Sequence, residues 1–283
     1  MDKVSGLVRL MRPINCVMMG FAVIVGAVLA NPQSSSVDWL NVIYGFITGF
    51  MLTAASMTIN DYYDRAIDAI NEPSRPIPSG LVGAREALAF VVVLSAVGFV
   101  FAFLASVLCF AVAIVSWIIV VTYVTVGKRS GLPGNFLVSA CVAIPFIYGS
   151  ITVISQVQLN VLLFALMAFL SNTGREITKG IVDVKGDRAE GVKTLAVRYG
   201  ERNAAAIASL FYISAVSLTP IPWILSLVSL WFVPVVLVTD VGLVASSLLL
   251  LRDYSRENAR KIKNLVLLWF IIGLLAYVLG VFK

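Results

Sequence analysis

Long apolar stretches without charged residues dominate this 283-residue sequence and limit what it can fold into. Nine of them are long enough to cross a bilayer as helices of about 20 residues. Hydrophobic residues make up 60% of the chain, against about 45–50% in soluble domains. The sequence therefore predicts an all-α, multi-pass membrane protein, a bundle of nine transmembrane helices. The predicted spans are 13–30, 38–59, 84–104, 106–126, 136–154, 158–176, 203–220, 223–250 and 262–281.

One of these boundaries lies inside an almost unbroken apolar run from Phe90 to Val126. A single helix of that length would exceed the thickness of a membrane, because the hydrocarbon core is about 30 Å and the helical rise is about 1.5 Å per residue. Ser106 is the only hint of a turn in the run. We therefore predict two helices that meet at Ser106.

The basic residues provide an independent test of the predicted spans. Of the 21 lysines and arginines, 20 fall on the N-terminal segment and on every second connection, which would place them on one side of the membrane. Cytoplasmic loops of membrane proteins carry this excess, so we predict a cell-membrane protein with a cytoplasmic N-terminus. The net charge of +6 then reflects topology and gives no reason to expect nucleic acid as a partner. A cleavable signal peptide in the first thirty residues is the alternative, but eight further spans need no such signal.

Residue types that are missing exclude several kinds of site. The chain has no histidine, so neither imidazole catalysis nor imidazole metal ligation is available to it. Its three cysteines lie in apolar runs without paired spacing, which predicts neither a disulfide framework nor a zinc site.

Acidic residues are concentrated where the second apolar run ends. Asn60, Asp64 and Asp68 recur at intervals of four, so a helix that continued through them would place all three on one face. Such a face would repel itself without a cation. Asp61 lies within the same stretch, and Arg75 follows it in the segment R-P-I-P-S-G.

A second acidic stretch follows the sixth predicted span. Glu176, Lys179, Asp183 and Asp187 have spacings of three, four and four, which again line one helical face on the same predicted side of the membrane. Carboxylate and amide oxygens suit magnesium, and interleaved basic residues suit a diphosphate, so the two stretches would surround a shared divalent cation cluster. The alternatives are solvated loop charges, a transporter or a divalent-cation channel. Neither of the last two explains why acids alternate with basic residues.

The pattern N-D-x-x-D-x-x-x-D from Asn60, together with R-P-I-P-S-G and the later D-x-x-x-D, resembles the UbiA superfamily of intramembrane prenyltransferases. This resemblance implies a single transmembrane prenyltransferase domain over residues 1–283, magnesium as cofactor, a prenyl diphosphate substrate, and an active site on the cytoplasmic side. It makes Asp64, Asp68, Asp183 and Asp187 the catalytic candidates. The implied metal ligands are Asn60, Asp64, Asp68, Asp183 and Asp187; the implied diphosphate ligands are Arg75, Lys128 and Lys179; the supporting residues are Asn15, Asp61, Arg175 and Glu176.

The sequence departs from the family pattern near Lys128, and Asn15 has a second interpretation. The family often has Tyr-x-x-x-Lys after its fourth helix, whereas Tyr123 and Lys128 are five apart here, which keeps Lys128 as a candidate and not Tyr123. Asn15 resembles a family position near the site, yet an asparagine within a membrane span also commonly bonds a neighbouring helix.

Within the superfamily, the segment from Gly174 to Asp187 is most similar to archaeal digeranylgeranylglyceryl phosphate synthases. That similarity implies transfer of a geranylgeranyl group from geranylgeranyl diphosphate to the free hydroxyl of geranylgeranylglyceryl phosphate, a lipid-like acceptor in archaeal ether-lipid biosynthesis. The stretch from Asn71 to Gly80 is also similar to chlorophyll synthases, so chlorophyllide or an aromatic quinone precursor is the alternative acceptor.

One carboxylate lies apart from both motifs. Asp240 is near the middle of the eighth predicted span, and intramembrane carboxylates are usually functional. It is about 16 Å along the helix from the cytoplasmic end, at the helical rise per residue. We therefore predict that it forms an interhelical hydrogen bond or is a protonated acid, and that it binds no metal.

Overall fold

The computed structural model describes residues 2–32, 38–189 and 191–281, apart from the side chain of Asn71, and these residues contain helices and no strand. This confirms the all-α prediction. The helices are α1 Lys3–Met11, α2 Pro13–Ala30, α3 Trp39–Asn71, α4 Ala84–Ala105, α5 Val107–Thr125, α6 Leu132–Ile154, α7 Leu159–Ala189, α8 Leu195–Tyr199, α9 Glu201–Leu218, α10 Pro220–Ile224, α11 Phe232–Arg252 and α12 Arg256–Val281, with a 3-10 turn at Gly127–Arg129.

Eight helices of the described ranges are long and apolar enough to cross a membrane, which makes this a multi-pass membrane protein. They are α2, α3, α4, α5, α6, α9, α11 and α12, with the span of α9 continuing to Ile224. Helix α7 is not among them because its sequence becomes polar after Leu170. The predicted count of nine is therefore not confirmed, and the side on which the N-terminus lies stays a prediction.

The predicted break at Ser106 is confirmed. Helix α4 ends at Ala105 and α5 begins at Val107. Between them, Ser106 adopts extended backbone and its Oγ accepts a hydrogen bond from the backbone N–H of Cys109 at 3.0 Å. Serine favours this role because its side chain satisfies one of the backbone donors left unpaired in the first turn of a helix.

The predicted start of the eighth span at residue 223 is wrong. The chain forms the short helix α10, turns through Ser226 at φ 54°, and enters α11 only at Phe232. Pro220 begins α10, and Pro234 lies in the first turn of α11, where a proline's missing N–H leaves no helical hydrogen bond unmade. The apolar composition is continuous across this turn, so hydropathy alone did not locate it.

One compact packing unit comprises residues 2–27, 38–125 and 145–156 of the described chain. Within it, α3 packs against α4 through a buried cluster that includes Ala54, Ala55 and Leu94. Helices α2 and α6 approach so closely that a Cβ atom built on Gly149 would lie 2.0 Å from the carbonyl oxygen of Val23. Small residues allow such close helix crossings in membrane proteins.

A second compact unit comprises residues 28–32, 126–144, 157–189 and 191–281. Its core gathers α7, α8, α9, α11 and α12 around Ile177, Ile181, Tyr212 and Ile262, each at most 2% exposed. The Tyr212 hydroxyl and the Thr178 hydroxyl are 2.9 Å apart, so the buried phenol is hydrogen-bonded. The prediction of a single domain for 1–283 stays a prediction. All three cysteines are free, as the sequence indicated.

Candidate active site

The first acidic motif lies on one continuous helix. Helix α3 runs through Asn60, Asp64 and Asp68 to residue 71, which confirms that these side chains share a helical face. The amide Nδ2 of Asn60 donates to Oδ2 of Asp64 at 3.1 Å. Asp68 is buried, whereas Asn60 and Asp64 are half-buried, so the face combines sheltered and accessible polar side chains.

Arg75 returns to this helix from the loop that follows it. Its Nη1 lies 2.7 Å from Oδ2 of Asp68 and 3.5 Å from Oδ1 of Asp61. One guanidinium nitrogen is thus placed between two carboxylates that are seven residues apart on the same helix. The ion pair between Arg75 and Asp68 joins a predicted diphosphate ligand to a predicted metal ligand. It uses only Oδ2 of Asp68.

Arg12 belongs to the same cluster and was not predicted as a site residue, because membrane topology alone accounts for a basic residue before the first span. Its Nη2 lies 2.7 Å from Oδ1 of Asp61, and Asp61 is 4% exposed. The available signal was its position directly before Pro13, where the first span begins. The cluster is a chain of alternating charge: Arg12, Asp61, Arg75 and Asp68.

Helix α1 holds the loop that carries Arg75. Leu10 of α1 is completely buried with Val82 and Ala87, and Ile77 of the loop packs against this cluster. The Arg9 guanidinium donates to the backbone carbonyl of Ser74 at 3.2 Å. These contacts fix the loop beside the end of α3, so the orientation of Arg75 depends on a helix outside the predicted spans.

Asn15 lies in the first turn of α2 and is exposed. Its Nδ2 approaches the sulfur of Met57 at 3.8 Å, one helical turn before Asn60 on α3. Asn15 therefore contacts a neighbouring helix close to the acidic face. This contact agrees both with a position near the site and with an interhelical role.

The second acidic motif also lies on one helix, since α7 continues through Glu176, Asp183 and Asp187 to Ala189. Oε1 of Glu176 accepts from Nη1 of Arg175 at 3.0 Å, and Oε2 of Glu176 lies 3.8 Å from Nζ of Lys179. Asp183 and Asp187 are half-buried and one turn apart. Glu176 therefore forms ion pairs with both basic residues, and Asp183 and Asp187 stay predicted metal ligands.

Lys128 lies in the 3-10 turn Gly127–Arg129 and is half-buried. The backbone N–H of Lys193 donates to the carbonyl of Arg129 at 3.4 Å, so the turn contacts the segment that follows α7. Gly131 has φ 77°, and a Cβ there would lie 2.4 Å from the carbonyl oxygen of Lys193, so glycine is required for this approach. Lys128 and the second motif are thus held by one packing unit.

A buried polar contact joins α7 to α6 just before the second motif, and it was not predicted from the sequence. Buried Asn172 and Thr173 both donate to the hydroxyl of Ser139, at 3.2 and 2.9 Å. These hydrogen bonds tie α7 to α6 just before the motif begins. Interhelical bonds of this kind fix the register of one helix against another.

The ligand chemistry of both motifs fits a hard divalent cation. The Asn60 amide and the Asp64 carboxylate are in contact, and carboxylate and amide oxygens are ligands that Mg²⁺ accepts together with phosphate oxygens. In residues 2–32, 38–189 and 191–281, neither motif alone brings three acidic or thiol side chains into one metal-binding group. The shared cation cluster therefore stays a prediction.

Comparison with known proteins gives the class of this protein. The model of the UbiA prenyltransferase family matches residues 19–278, and the chain belongs to that family. It is therefore a membrane prenyltransferase.

Particular relatives narrow the comparison. Digeranylgeranylglyceryl phosphate synthase of Archaeoglobus fulgidus is 39% identical over 277 residues, which cover 96% of this chain and 94% of that protein. A solved structure of digeranylgeranylglyceryl phosphate synthase has a TM-score of 0.87 at 29% identity and covers 99% of both chains. A UbiA homologue from Archaeoglobus fulgidus bound to GPP and Mg²⁺ has a TM-score of 0.67 at 18% identity, covering 96% of this chain and 99% of that one, and shares the fold.

Asp240 forms the predicted hydrogen bond between helical segments. Its Oδ2 accepts from Oγ1 of Thr219, the residue between α9 and α10, at 2.7 Å. Asp240→Asn keeps an oxygen acceptor, so we expect prenyl transfer to stay within about threefold of wild type. Turnover of labelled geranylgeranyl diphosphate measures this. A loss above about 100-fold in a normally folded variant would place Asp240 in the reaction.

Proposed function

We propose that this protein transfers a geranylgeranyl group from geranylgeranyl diphosphate to the free hydroxyl of geranylgeranylglyceryl phosphate. The observation that carries the proposal is the arrangement of two aspartate motifs, each on one helical face with basic partners, in a chain 39% identical to a digeranylgeranylglyceryl phosphate synthase. The product would be a lipid with a second ether bond.

The reaction breaks one bond and forms another. The C1–O bond of the allylic diphosphate breaks and its electron pair leaves with the diphosphate. The acceptor hydroxyl oxygen then bonds to C1 and releases its proton, for which a carboxylate or the departing diphosphate is the base. Negative charge develops on the leaving diphosphate. Residues of this chain that stabilise this charge would lower the activation free energy of the reaction.

The proposal assigns roles to the residues of the two motifs. Asn60, Asp64, Asp68, Asp183 and Asp187 would hold magnesium, which when bound neutralises diphosphate charge. The GPP and Mg²⁺ bound by the Archaeoglobus fulgidus homologue support this choice of ion.

The basic residues have a separate role in the proposal. Arg75, Lys128 and Lys179 would bind the diphosphate through charge-assisted hydrogen bonds. The distribution of basic residues supports a cytoplasmic location for both motifs, so the reaction would take place on the cytoplasmic side.

Apolar helix surfaces around the motifs would serve the prenyl tail. A water-poor site protects an allylic cation from hydrolysis, so the hydroxyl of the acceptor rather than water reaches C1. The acceptor carries a phosphate and an isoprenoid tail, which together require basic groups at the rim and an apolar groove in the membrane.

Four basic residues beyond those assigned to the diphosphate are candidates for the acceptor phosphate: Arg65, Arg129, Lys185 and Arg188. Arg65 is oriented by its neighbour, because its guanidinium lies 4.4 Å from the centre of the Tyr62 ring and donates to the Tyr62 carbonyl. Lys185 and Arg188 are exposed on the last turns of α7, beside Asp187.

The test is a panel of acceptors with labelled geranylgeranyl diphosphate, with and without Mg²⁺. We expect prenylation of geranylgeranylglyceryl phosphate, and at least about tenfold less product from its dephosphorylated analogue, because hydrogen bonds to a charged group contribute about 1.5–3 kcal/mol each. The measurement is product formed per enzyme at equal acceptor concentration. Prenylation of chlorophyllide or an aromatic acid, with the glyceryl phosphate untouched, would contradict the acceptor assignment and leave the family membership intact.

A further inference from the structure

We propose that Arg12 is a positioning residue of the diphosphate site: it neutralises Asp61 and thereby leaves the Arg75 guanidinium directed toward the acidic face of α3. The inference rests on the proposed role of Arg75 as a diphosphate ligand. The junction between α1 and α2 lies outside both acidic motifs and would then take part in substrate binding.

The distances assign the partners. Oδ1 of Asp61 is approached by two guanidinium nitrogens, Nη2 of Arg12 at 2.7 Å and Nη1 of Arg75 at 3.5 Å. The same Arg75 nitrogen is 2.7 Å from Oδ2 of Asp68. Asp61 is therefore paired closely with Arg12, and Arg75 is paired closely with Asp68.

The pairing of Asp61 with Arg12 matters because Asp61 is buried. Asp61 is 4% exposed, and a buried carboxylate is strongly destabilising unless a cation and hydrogen bonds compensate its charge. Without Arg12, the nearest cation within reach in the described part of the chain is Arg75. Arg75 would then move toward Asp61 and away from Asp68, so Arg12 determines where Arg75 points.

The left-handed backbone conformation of Arg12 indicates that its side chain is held in a specific position. Arg12 has φ 51° and caps the end of α1 through its N–H, which donates to the carbonyl of Arg9 at 3.3 Å. A left-handed conformation costs a non-glycine residue about 1 kcal/mol, and the following Pro13 further disfavours a helical one. A charge needed only for membrane topology requires no such position.

Lys3 provides the contrast on the same helix. Its ion pair with Glu86 is short, at 2.6 Å, but the two side chains are 72% and 48% exposed. Exposed pairs contribute little, whereas the docking of α1 rests on the buried cluster around Leu10. Lys3→Gln is therefore a matched control that removes one positive charge from α1 and leaves the cluster around Asp61 intact.

The experiment measures equilibrium binding of labelled geranylgeranyl diphosphate to the full-length protein with Mg²⁺ and without acceptor, so that no transfer occurs. We expect Arg12→Gln to weaken binding about tenfold, within the range of couplings between contacting charged residues. Arg12→Lys, which keeps the charge, should recover part of the loss, and Lys3→Gln should stay within about twofold of wild type. In steady-state assays, the KM for the diphosphate should rise while the KM for the acceptor does not.

A double variant separates positioning from general destabilisation. In the Asp61→Asn background the carboxylate that would draw Arg75 away from Asp68 is absent, so adding Arg12→Gln should change affinity less than twofold. This comparison also decides the matter if Arg12→Gln alone does not fold, because the double variant leaves no unpaired buried charge. A further tenfold loss in the double variant would overturn the proposal.

Arg75→Gln distinguishes the two levels of inference. If it weakens diphosphate binding and Arg12→Gln does not, the positioning role of Arg12 is wrong and the proposed function stands. If Arg75→Gln itself binds like wild type, Arg75 is not a diphosphate ligand, and both the assignment and the role of Arg12 built on it are overturned.

Discussion

Replacing Asp64 or Asp183 by alanine should abolish prenyl transfer while the protein still inserts into the membrane and folds. Each aspartate lies half-buried on the acidic face of its own helix, where a carboxylate would bind the cation that neutralises diphosphate. Loss of a group that stabilises developing charge commonly costs about 100- to 1,000-fold in rate. The measurement is turnover of labelled geranylgeranyl diphosphate over a magnesium titration, and removal of divalent ions with a chelator should give the same loss in wild type.

Two further variants sharpen this test. Asp64→Asn keeps an oxygen in contact with the Asn60 amide but removes the charge, so an equal loss would assign the effect to charge rather than to the hydrogen bond. Asp253→Ala removes a carboxylate of the loop between α11 and α12, whose pKa is lowered by the hydrogen bond it accepts from the Ser255 backbone N–H. It lies outside both motifs and should retain activity. Near-normal turnover of both Asp64→Ala and Asp183→Ala would rule out the two-motif site.

Gly149→Val should prevent stable folding, or lower the thermal unfolding midpoint by at least about 5 °C. A Cβ at this position would lie 2.0 Å from the Val23 carbonyl oxygen and 2.7 Å from the backbone N of Ala27, so the added atoms would meet the backbone of α2. Backbone cannot rotate away as a flexible side chain can, and overpacking of this kind typically costs about 1–3 kcal/mol or more. Thermal unfolding of the purified protein in detergent measures the effect.

A glycine in open surroundings provides the control for this prediction. Gly186 lies in α7, and a Cβ there would meet nothing within 4 Å. Gly186→Ala should therefore leave stability unchanged or raise it by about 0.5–1 kcal/mol, since alanine favours helix more than glycine does. If Gly149→Val were as stable as Gly186→Ala, the close crossing of α2 and α6 would not exist in the folded protein.

The sequence determined the features that depend on neighbouring residues along the chain. Uninterrupted apolar runs located most membrane helices, and Ser106 marked the break between α4 and α5. Spacings of four placed Asn60, Asp64 and Asp68 on one face as soon as α3 continued to residue 71. The resemblance of the same motifs to the UbiA superfamily agrees with the family match over residues 19–278. These inferences succeed because helical periodicity and hydropathy are local properties.

Tertiary structure decided what depends on residues distant in sequence. Arg12 pairs with Asp61 across 49 positions, and no spacing rule relates the two. The partition of Asp61 to Arg12 and of Asp68 to Arg75 depends on how α1 docks against the loop before α4, through Leu10 and Val82. The start of α11 at Phe232 also escaped prediction, since hydropathy is the same on both sides of the turn. Charge in the sequence indicated a candidate site, but only packing determines which oppositely charged groups meet, because a buried ion pair requires both partners at one place in the fold.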